Sequence, residues 1–307
     1  LTGLAGLYRG MGRYAEAEPL SKRALAITEK ALDPDHPDVG TSLNNLAGLA
    51  LAQGDWAQAA DYWRRSTGVI QRRTQRGLAG TAEGSSKGEA KRLNCHFAGL
   101  VKTTHRLAMQ GRVELDVQAR AMFETAQWAQ GSEAAASLAQ MAARSAKGSP
   151  QLSVLVRERQ DLVAEWQKRD GARTASVAQA PDKRDRAAEA ANATQLAAVD
   201  ARIAAIDERL KIEFPNYAAL ARPEPLSITQ VQAELRSDEA LLLFLDTTEW
   251  QLTADETFVW VVTKKEARWV RSALGTKALT ERAVALRCGL DAALWDDEAT
   301  SAGCRNL

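Results

Sequence analysis

Residues 1–27 and 43–69 are two copies of one pattern, displaced by 42 positions along the chain. Such a recurrence indicates that each copy is one supersecondary unit, which must stack on a neighbour to bury its apolar face. The matching positions have the i, i+3, i+4, i+7 spacing of an amphipathic helix. They are Leu1, Leu4, Ala5 and Tyr8 in the first copy, and Leu43, Leu46, Ala47 and Ala50 in the second. A mainly α chain that begins as a helical solenoid is therefore predicted.

Each copy also carries the turn residues of a helical hairpin. Gly12 and Gly54 follow the first helix of each copy, where a tight turn needs the left-handed backbone that glycine adopts without strain. Ala17 and Ala59 are small enough for the second helix to pack closely on the first. Between the copies, residues 33–39 read D-P-D-H-P-D-V. The prolines should end one helix, and we expect an acidic residue to cap the next.

The full signature is specific enough to indicate a family. The first copy reads L-x-x-L-A-x-x-Y-x-x-x-G-x-Y-x-x-A-E-P-L-x-x-R-A-L-x-I, and D-P-D-H-P-D-V and L-N-N-L-A follow it. These residues resemble the tetratricopeptide repeat, in the long form found in kinesin light chains. We assign residues 1–76 to repeats, and we expect earlier repeats to be missing because the first copy opens in mid-motif. The resemblance implies a concave wall that binds a protein or peptide through first-helix positions, namely Thr2, Arg9, Asn44 and Leu51.

The charge of the chain is balanced overall but not locally. The sequence has 40 basic and 39 acidic residues, which does not favour a strongly charged partner. Residues 71–112, however, carry nine basic side chains and two acidic ones. A solvated helix face and loop is the favoured explanation, because no aromatic residues are interleaved. Contact with nucleic acid is the alternative, and it would use Arg72, Arg73, Arg76, Lys91 and Arg92.

Compartment and redox state are only loosely constrained. No apolar run reaches the roughly 18 residues of a membrane span, so no membrane partner is expected. The cytoplasm is favoured, and export stays open because a signal peptide could precede Leu1. The three cysteines, Cys95, Cys288 and Cys304, are too few for a disulfide framework. Cys288 and Cys304 are close enough in sequence to pair in an exported protein, and a pair of free thiols is the alternative.

Helical patterns continue beyond the two copies. Residues 77–90 are small, polar and glycine-rich, which predicts a loop, and residues 77–148 as a whole are assigned to further helices that could be degenerate repeats. Residues 149–214 are assigned to an antiparallel helical hairpin with an exposed tip at 171–186. One of its helices has apolar residues at alternating steps of three and four, as in a coiled coil: Leu196, Val199, Ile203, Ile206 and Leu210. Two more packed helices of an all-α domain are the alternative.

The pattern changes to short apolar runs in the last segment. Residues 241–245 and 258–262 have strand length and the continuous apolar character of strands covered on both faces. Residues 267–271 predict a third strand after a hairpin turn at 263–266, and helices are predicted at 227–236 and 277–290. We assign residues 215–307 to the start of an α/β domain.

Several short motifs in this segment resemble the opening of a CHAT domain, the caspase-like module joined to tetratricopeptide repeats in bacterial proteins. They are F-P-N-Y-A-A-L, P-L-S-I-T-Q-V-Q-A-E-L, D-E-A-L-L-L-F-L, T-F-V-W-V-V-T and L-R-C-G-L-D. The preceding A-Q-W-A, Q-M-A-A-R-S-A-K-G and L-V-R-E-R-Q-D-L resemble the helical region between repeats and CHAT. The resemblance implies a caspase-like or separase-like cysteine endopeptidase, regulated by partner binding to the repeats. A non-catalytic scaffold that binds peptides through its repeats is the alternative.

The catalytic residues that this resemblance implies are not in the sequence. Such enzymes need a cysteine thiolate activated by a nearby histidine, and all three histidines precede the first CHAT-like strand. Cys95 and His96 are adjacent, but neighbouring side chains on a helix diverge by about 100 degrees. Ser301 to Cys304 imitates a nucleophile motif without a histidine between it and the strands. We therefore expect no catalytic residues and no peptidase activity in this chain, which would end before the dyad.

No metal or cofactor is expected either. The sequence has no glycine-rich phosphate loop, no cluster of residues with metal-ligand spacing and no nucleophile elbow. The acidic residues near Trp295 are better explained as a solvated turn.

Overall fold

The computed structural model describes residues 1–32, 34–75, 93–130, 149–180, 182–221, 224–249, 253–290 and 304. The helices of the first half are α1 (Thr2–Gly10), α2 (Tyr14–Ala31), α3 (Pro37–Ala52), α4 (Trp56–Gln75), α5 (Asn94–Met109) and α6 (Leu115–Gln130). Those of the second half are α7 (Pro150–Val177), α8 (Arg186–Glu213), α9 (Pro215–Ala221), α10 (Ile228–Glu234) and α11 (Thr276–Leu290). The strands are β1 (Ala240–Thr247), β2 (Glu256–Thr263) and β3 (Ala267–Ser272). The chain is thus mainly helical with one small sheet, as the sequence predicted.

The chain forms two compact units, and neither is continuous in sequence. The first contains Leu1–Leu107 and Glu124–Leu226, and the second contains Ala108–Phe123 and Ser227–Leu307. Helix α6 therefore contributes its first part to one unit and its last part to the other.

In the first unit, α1 to α4 form two helical hairpins with equivalent turns. Gly12 and Gly54 have φ angles of 72° and 79°, in the left-handed region that favours glycine. The amide of Arg13 donates to the Tyr8 carbonyl over 2.9 Å, and the amide of Asp55 donates to the Ala50 carbonyl over 2.9 Å. The predicted hairpins are confirmed, and in both of them a hydrogen bond of the same kind closes the turn.

Helix α3 begins with a cap that the sequence did not suggest. Its first helical residue is Pro37, and the preceding His36 caps it through the imidazole, which accepts a hydrogen bond from the Asp38 amide. The expected acidic cap is therefore wrong. Pro37 fixes the helix start, because proline is well suited to the first helical position, and this places His36 rather than an aspartate at the cap. Asp38 lies inside the first turn, where its negative charge favours the helix dipole.

Helices α7 and α8 form the predicted antiparallel hairpin. Near the tip, Val163 and Trp166 pack with Leu196, Val199 and Ile203, and near the base Leu152 and Leu155 pack with Ile206 and Leu210. Arg159 and Asp207 form an ion pair of 2.6 Å between the helices. The tip is shorter than predicted, because α7 continues through Gly171 to Val177. One glycine in a helix costs only about 1 kcal/mol, which the apolar interface between α7 and α8 offsets.

In the second unit, three strands form an antiparallel sheet in the order β1-β2-β3. Opposite pairs include Leu243 with Trp260 and Trp260 with Trp269, so these side chains share one face. The turn between β2 and β3 is closed by the amide of Thr263, which donates to the Glu266 carbonyl over 2.8 Å. The strands lie where the sequence predicted them.

One face of this sheet is buried and the other is not. On the buried face, Trp260 stacks on Trp269 at 5.5 Å, and the Trp260 indole Nε1 donates to the Ala119 carbonyl over 2.9 Å. Phe123 meets Trp260 edge to face. On the opposite face, Leu242 and Phe244 are 55% and 52% exposed. The expectation of coverage on both faces is therefore wrong for this sheet, because antiparallel strands need only one covered face.

Cys288 and Cys304 form a disulfide bond, with their Cα atoms 5.6 Å apart. Among the described helices, none is long and apolar enough to cross a membrane. The same residues contain no group of three or more histidine, cysteine, aspartate or glutamate side chains that could hold a metal ion.

Candidate functional site

A pocket of about 180 Å³ opens between α1, α2 and α3 in the first unit. Its floor is apolar and made of small residues, chiefly Ala5, Ala17 and Ala24, which are almost fully buried. Its rim is polar. The complete lining is Thr2, Ala5, Gly6, Arg9, Ala17, Ser21, Ala24, Ser42, Asn45 and Leu49. All of these residues except Ser42 lie within the two copies of the repeated pattern.

The pocket exists because the second helix of the first copy carries a small residue at one position. Ser21 lines the pocket, and the residue 42 positions later is Trp63. Trp63 is almost fully buried, and its ring lies so close to Gly99 of α5 that a Cβ there would come within 2.5 Å. The second copy therefore fills with an indole ring the place that the first copy leaves open at Ser21.

Arg9 and Asn45 give the rim its polar character. An Arg9 guanidinium nitrogen donates to the Asn45 side-chain oxygen over 3.4 Å, a long hydrogen bond between partly buried groups. The asparagine amide keeps a donor for a partner's carbonyl, and the guanidinium has further N–H groups for a carboxylate. An apolar cavity beside these groups suits a short extended segment that carries one apolar side chain.

The structure brings two of the four predicted binding residues together and separates them from the other two. Thr2 and Arg9 line the pocket. Asn44 lies outside its lining, and the Asn44 side-chain oxygen accepts a hydrogen bond of 2.9 Å from the Trp63 indole. Leu51 is almost fully buried and also lies outside the lining. Sequence reasoning missed Asn45, although the size difference between Ser21 and Trp63 was a readable signal that the copies differ here.

The two described residues of the predicted basic surface are engaged within the fold. The Arg72 guanidinium pairs with the Asp35 carboxylate at 2.6 Å. Arg73 is buried, and its guanidinium donates to the Asp35 carbonyl over 3.4 Å. Arg76, Lys91 and Arg92 lie outside the described residues. Arg72 and Arg73 therefore support the conformation of the loop between the repeats.

His96 has a structural setting. Its Nδ1 lies 2.7 Å from the Ser66 hydroxyl oxygen, and that hydroxyl donates to the Gly40 carbonyl over 2.8 Å. With its proton used in this way, the Ser66 hydroxyl accepts from the imidazole, so the proton of the neutral ring is on Nδ1. Burial lowers the pKa of His96 to about 4. Cys95, its neighbour, is exposed.

The nucleophile-like motif at the end of the chain has no free thiol. Residues 301–303 lie outside the described part of the chain, and Cys304 is bonded to Cys288. A disulfide sulfur has no thiolate to attack a carbonyl.

Comparison with known proteins is specific for the repeats. Residues 1–71 match the family model of the tetratricopeptide repeat. Nephrocystin-3 from Xenopus laevis is 39% identical to the chain over 73 residues, and nephrocystin-3 from Xenopus tropicalis is 42% identical over 73 residues. Each match covers 22% of this chain and 6% of the relative. The chain therefore covers a small part of those relatives, and the likeness lies in the repeats.

Proposed function

We propose that the tetratricopeptide repeats of residues 1–71 bind an extended segment of a protein partner, and that the pocket between α1, α2 and α3 anchors it. Repeats of this family generally bind protein partners. The observation that carries the proposal is the pocket itself, with its apolar floor and its polar rim of Arg9 and Asn45.

The lining indicates the chemistry of the bound segment. The apolar floor excludes water and favours a medium-sized apolar side chain, whose burial contributes about 25 cal/mol per Å² of apolar surface. Asn45 can hydrogen-bond the segment's backbone, since its amide has both donors and an acceptor. Arg9 favours an acidic residue next to the apolar one. The segment is therefore short, extended and acidic.

The experiment uses one variant that fills the pocket without changing its charge and a second variant that removes its charge. Ser21→Leu should occupy the cavity much as Trp63 occupies its equivalent, and Arg9→Ala should remove the cationic group. We expect each variant to weaken the binding of fluorescent peptides that carry an acidic residue beside an apolar one by at least about tenfold. A change of this size corresponds to the loss of one buried apolar side chain or of one charge-assisted hydrogen bond. The matched control is Arg64→Ala, because Arg64 is exposed and pairs with Asp61 of its own helix. Unchanged binding by Ser21→Leu, in a folded variant, would remove the pocket from the proposal.

We further propose a finer function, in which the sheet of the second unit opens a CHAT-like domain and the intact bacterial protein is a cysteine endopeptidase controlled by partner binding to the repeats. The arrangement of β1 to β3, with a buried tryptophan face, supports this candidate. The histidines of the chain are His36, His96 and His105, all before β1. A catalytic pair would therefore lie outside this sequence, and this chain alone should have no peptidase activity.

A longer natural protein tests the peptidase candidate separately from the binding proposal. Its activity on peptide substrates should rise when the repeats bind their partner segment, and a cysteine-reactive probe should label it even in a Cys95→Ser background, in which the exposed free thiol of this chain is absent. If a longer protein with intact partner binding neither cleaves peptides nor reacts with the probe, the scaffold alternative replaces the peptidase.

A further inference from the structure

A polar contact joins the loop between the repeats to the helical hairpin, both in the first unit. The His36 Nε2 atom lies 3.0 Å from the Thr174 hydroxyl oxygen and 3.9 Å from the Asp170 carboxylate, both on α7. His36 is 6% exposed and Asp170 is 9% exposed. The Asp170 carboxylate also accepts a hydrogen bond from the Arg173 guanidinium. We call His36, Asp170, Arg173 and Thr174 the seam.

The hydrogen bonds of the seam define a single neutral form of the His36 ring. Its Nδ1 accepts a bond of 3.2 Å from the Asp38 amide, so Nδ1 carries no proton. The Thr174 hydroxyl donates to the Asp170 carbonyl over 3.0 Å, so the Thr174 oxygen is left to accept from Nε2. A neutral ring with its proton on Nε2 satisfies both partners. A second proton, on Nδ1, would face the Asp38 amide donor and remove the cap of α3.

The charges around His36 come from three elements and have opposing effects. Asp38 of α3, with its carboxylate 3.7 Å from Nδ1, and Asp170 of α7 favour a cationic ring. Arg73 of α4 and Arg173 of α7 oppose it. Asp35, in the same loop as His36, is paired with Arg72. Burial opposes the cation most strongly, and the pKa of His36 is lowered from its ordinary value of 6.5.

We propose that the seam is a proton-operated latch, in which the neutral His36 ring caps α3 and holds the hairpin, and a second proton on the ring opens both contacts. Protonation of one ring nitrogen therefore affects both α3 and α7. Protonated Nδ1 can no longer accept from the Asp38 amide, and its positive charge lies at the positive end of the α3 dipole. The ring must then move, and the bond from Nε2 to Thr174 is lost with it.

The direction of the effect follows from the lowered pKa. A group that is a weaker base in the folded state contributes stability above its unfolded pKa, and this contribution is lost as the pH falls. The latch is therefore closed at and above the ordinary histidine pKa of 6.5, and it opens as the pH falls below that value.

Amide hydrogen exchange on the full chain tests the latch. Exchange would be followed between about pH 7.5 and about pH 5 and corrected for the intrinsic rate at each pH. In the wild type we expect the first turn of α3 and the Asp170–Thr174 turn of α7 to exchange about fivefold faster at about pH 5 than at about pH 7.5. A change of this size corresponds to the loss of one helix cap. In His36→Asn the side chain still caps α3 but does not titrate, so this acceleration should be absent. The part of α8 from Ile206 to Leu210, which packs on α7 at the opposite end from the seam and contains no histidine, serves as the internal control and should keep its protection.

Three outcomes of this experiment would overturn the proposal. One is an equal acceleration in His36→Asn, and another is loss of protection in residues 206–210 of α8 together with the seam, which would show global unfolding. The third is unchanged exchange at the seam of the wild type. Thr174→Val provides a measurement that does not depend on His36→Asn folding. It removes the acceptor of Nε2, so the α7 turn should exchange faster at neutral pH than in the wild type, and unchanged exchange there would again refute the latch.

Discussion

Leu4 and Leu46 stand at the same position of the repeated first helix, yet Leu4 is 46% exposed and Leu46 is 1% exposed. The difference arises because α2 of the first hairpin covers α3, whereas the equivalent face of α1 is open in this structure. Leu7 of α1 and Leu1, the residue that precedes this helix, are also exposed, and their equivalents Leu49 and Leu43 are buried. Equivalent residues in the two copies therefore contribute different amounts to the free energy of unfolding.

Leu46→Ala should lower the free energy of unfolding by about 2 to 5 kcal/mol, because it leaves a cavity between packed helices. Leu4→Ala is the matched control, and it should cost about 1 kcal/mol or less, since nearly half of that side chain is already in water. Denaturant unfolding followed by far-UV circular dichroism would measure both. Equal losses in the two variants would contradict the exposed position of α1.

Alanine substitution at two glycines should have effects of opposite sign. Gly54 has φ +79° in the turn between α3 and α4, and Gly54→Ala should destabilise the fold by about 1 kcal/mol or more. Gly171 lies within α7 with open space around it, and Gly171→Ala should stabilise the fold by about 0.5 to 1 kcal/mol. Thermal unfolding would compare the two. Destabilisation by Gly171→Ala would show that α7 does not continue through this residue.

Gly99→Ala should be costly because the new methyl group would meet the Trp63 ring at 2.5 Å. We expect a loss of about 1 to 3 kcal/mol from overpacking. Combining it with Trp63→Leu should cost less than the sum of the single changes, because the smaller side chain gives the methyl group room. A double-mutant cycle in denaturant would measure this coupling. Additive losses would mean that the two residues do not share this contact.

Stability should fall in acid because of His96. Its pKa is lowered from 6.5 to about 4 by burial. The contribution of the neutral ring is complete above pH 6.5 and is lost as the pH falls towards 4, and it amounts to about 3 kcal/mol. Unfolding free energies at a series of pH values would give the slope, and NMR of the imidazole would assign it. An NMR pKa near 6.5 would contradict the burial of the His96 ring.

The sequence predicted those features that depend on a period or a run of residues. The apolar steps of three and four from Leu196 to Leu210 predicted the face of α8 that packs on α7, and the apolar runs predicted the strands. Features that depend on a single contact between residues far apart in sequence could not be predicted from the sequence. Asn44 and Asn45 are adjacent and chemically identical, and only the position of the Trp63 indole decides that Asn44 is engaged while Asn45 lines the pocket. The His36 cap likewise depends on the residue at which α3 begins. Asp35 and Asp38 lie close to that point in the sequence, and an aspartate is the more common helix cap.

The hydrogen bond from Trp260 to the Ala119 carbonyl joins residues 141 positions apart. Between them the chain forms residues Glu124–Leu226 of the other unit. A contact of such long range is slow to form, so during synthesis the first part of α6 has to wait for the strands. A protein expressed from residue 215 onward would contain all three strands but neither Ala119 nor Phe123. Its Trp260 indole would lose its acceptor, and the buried face of the sheet would be open to aggregation.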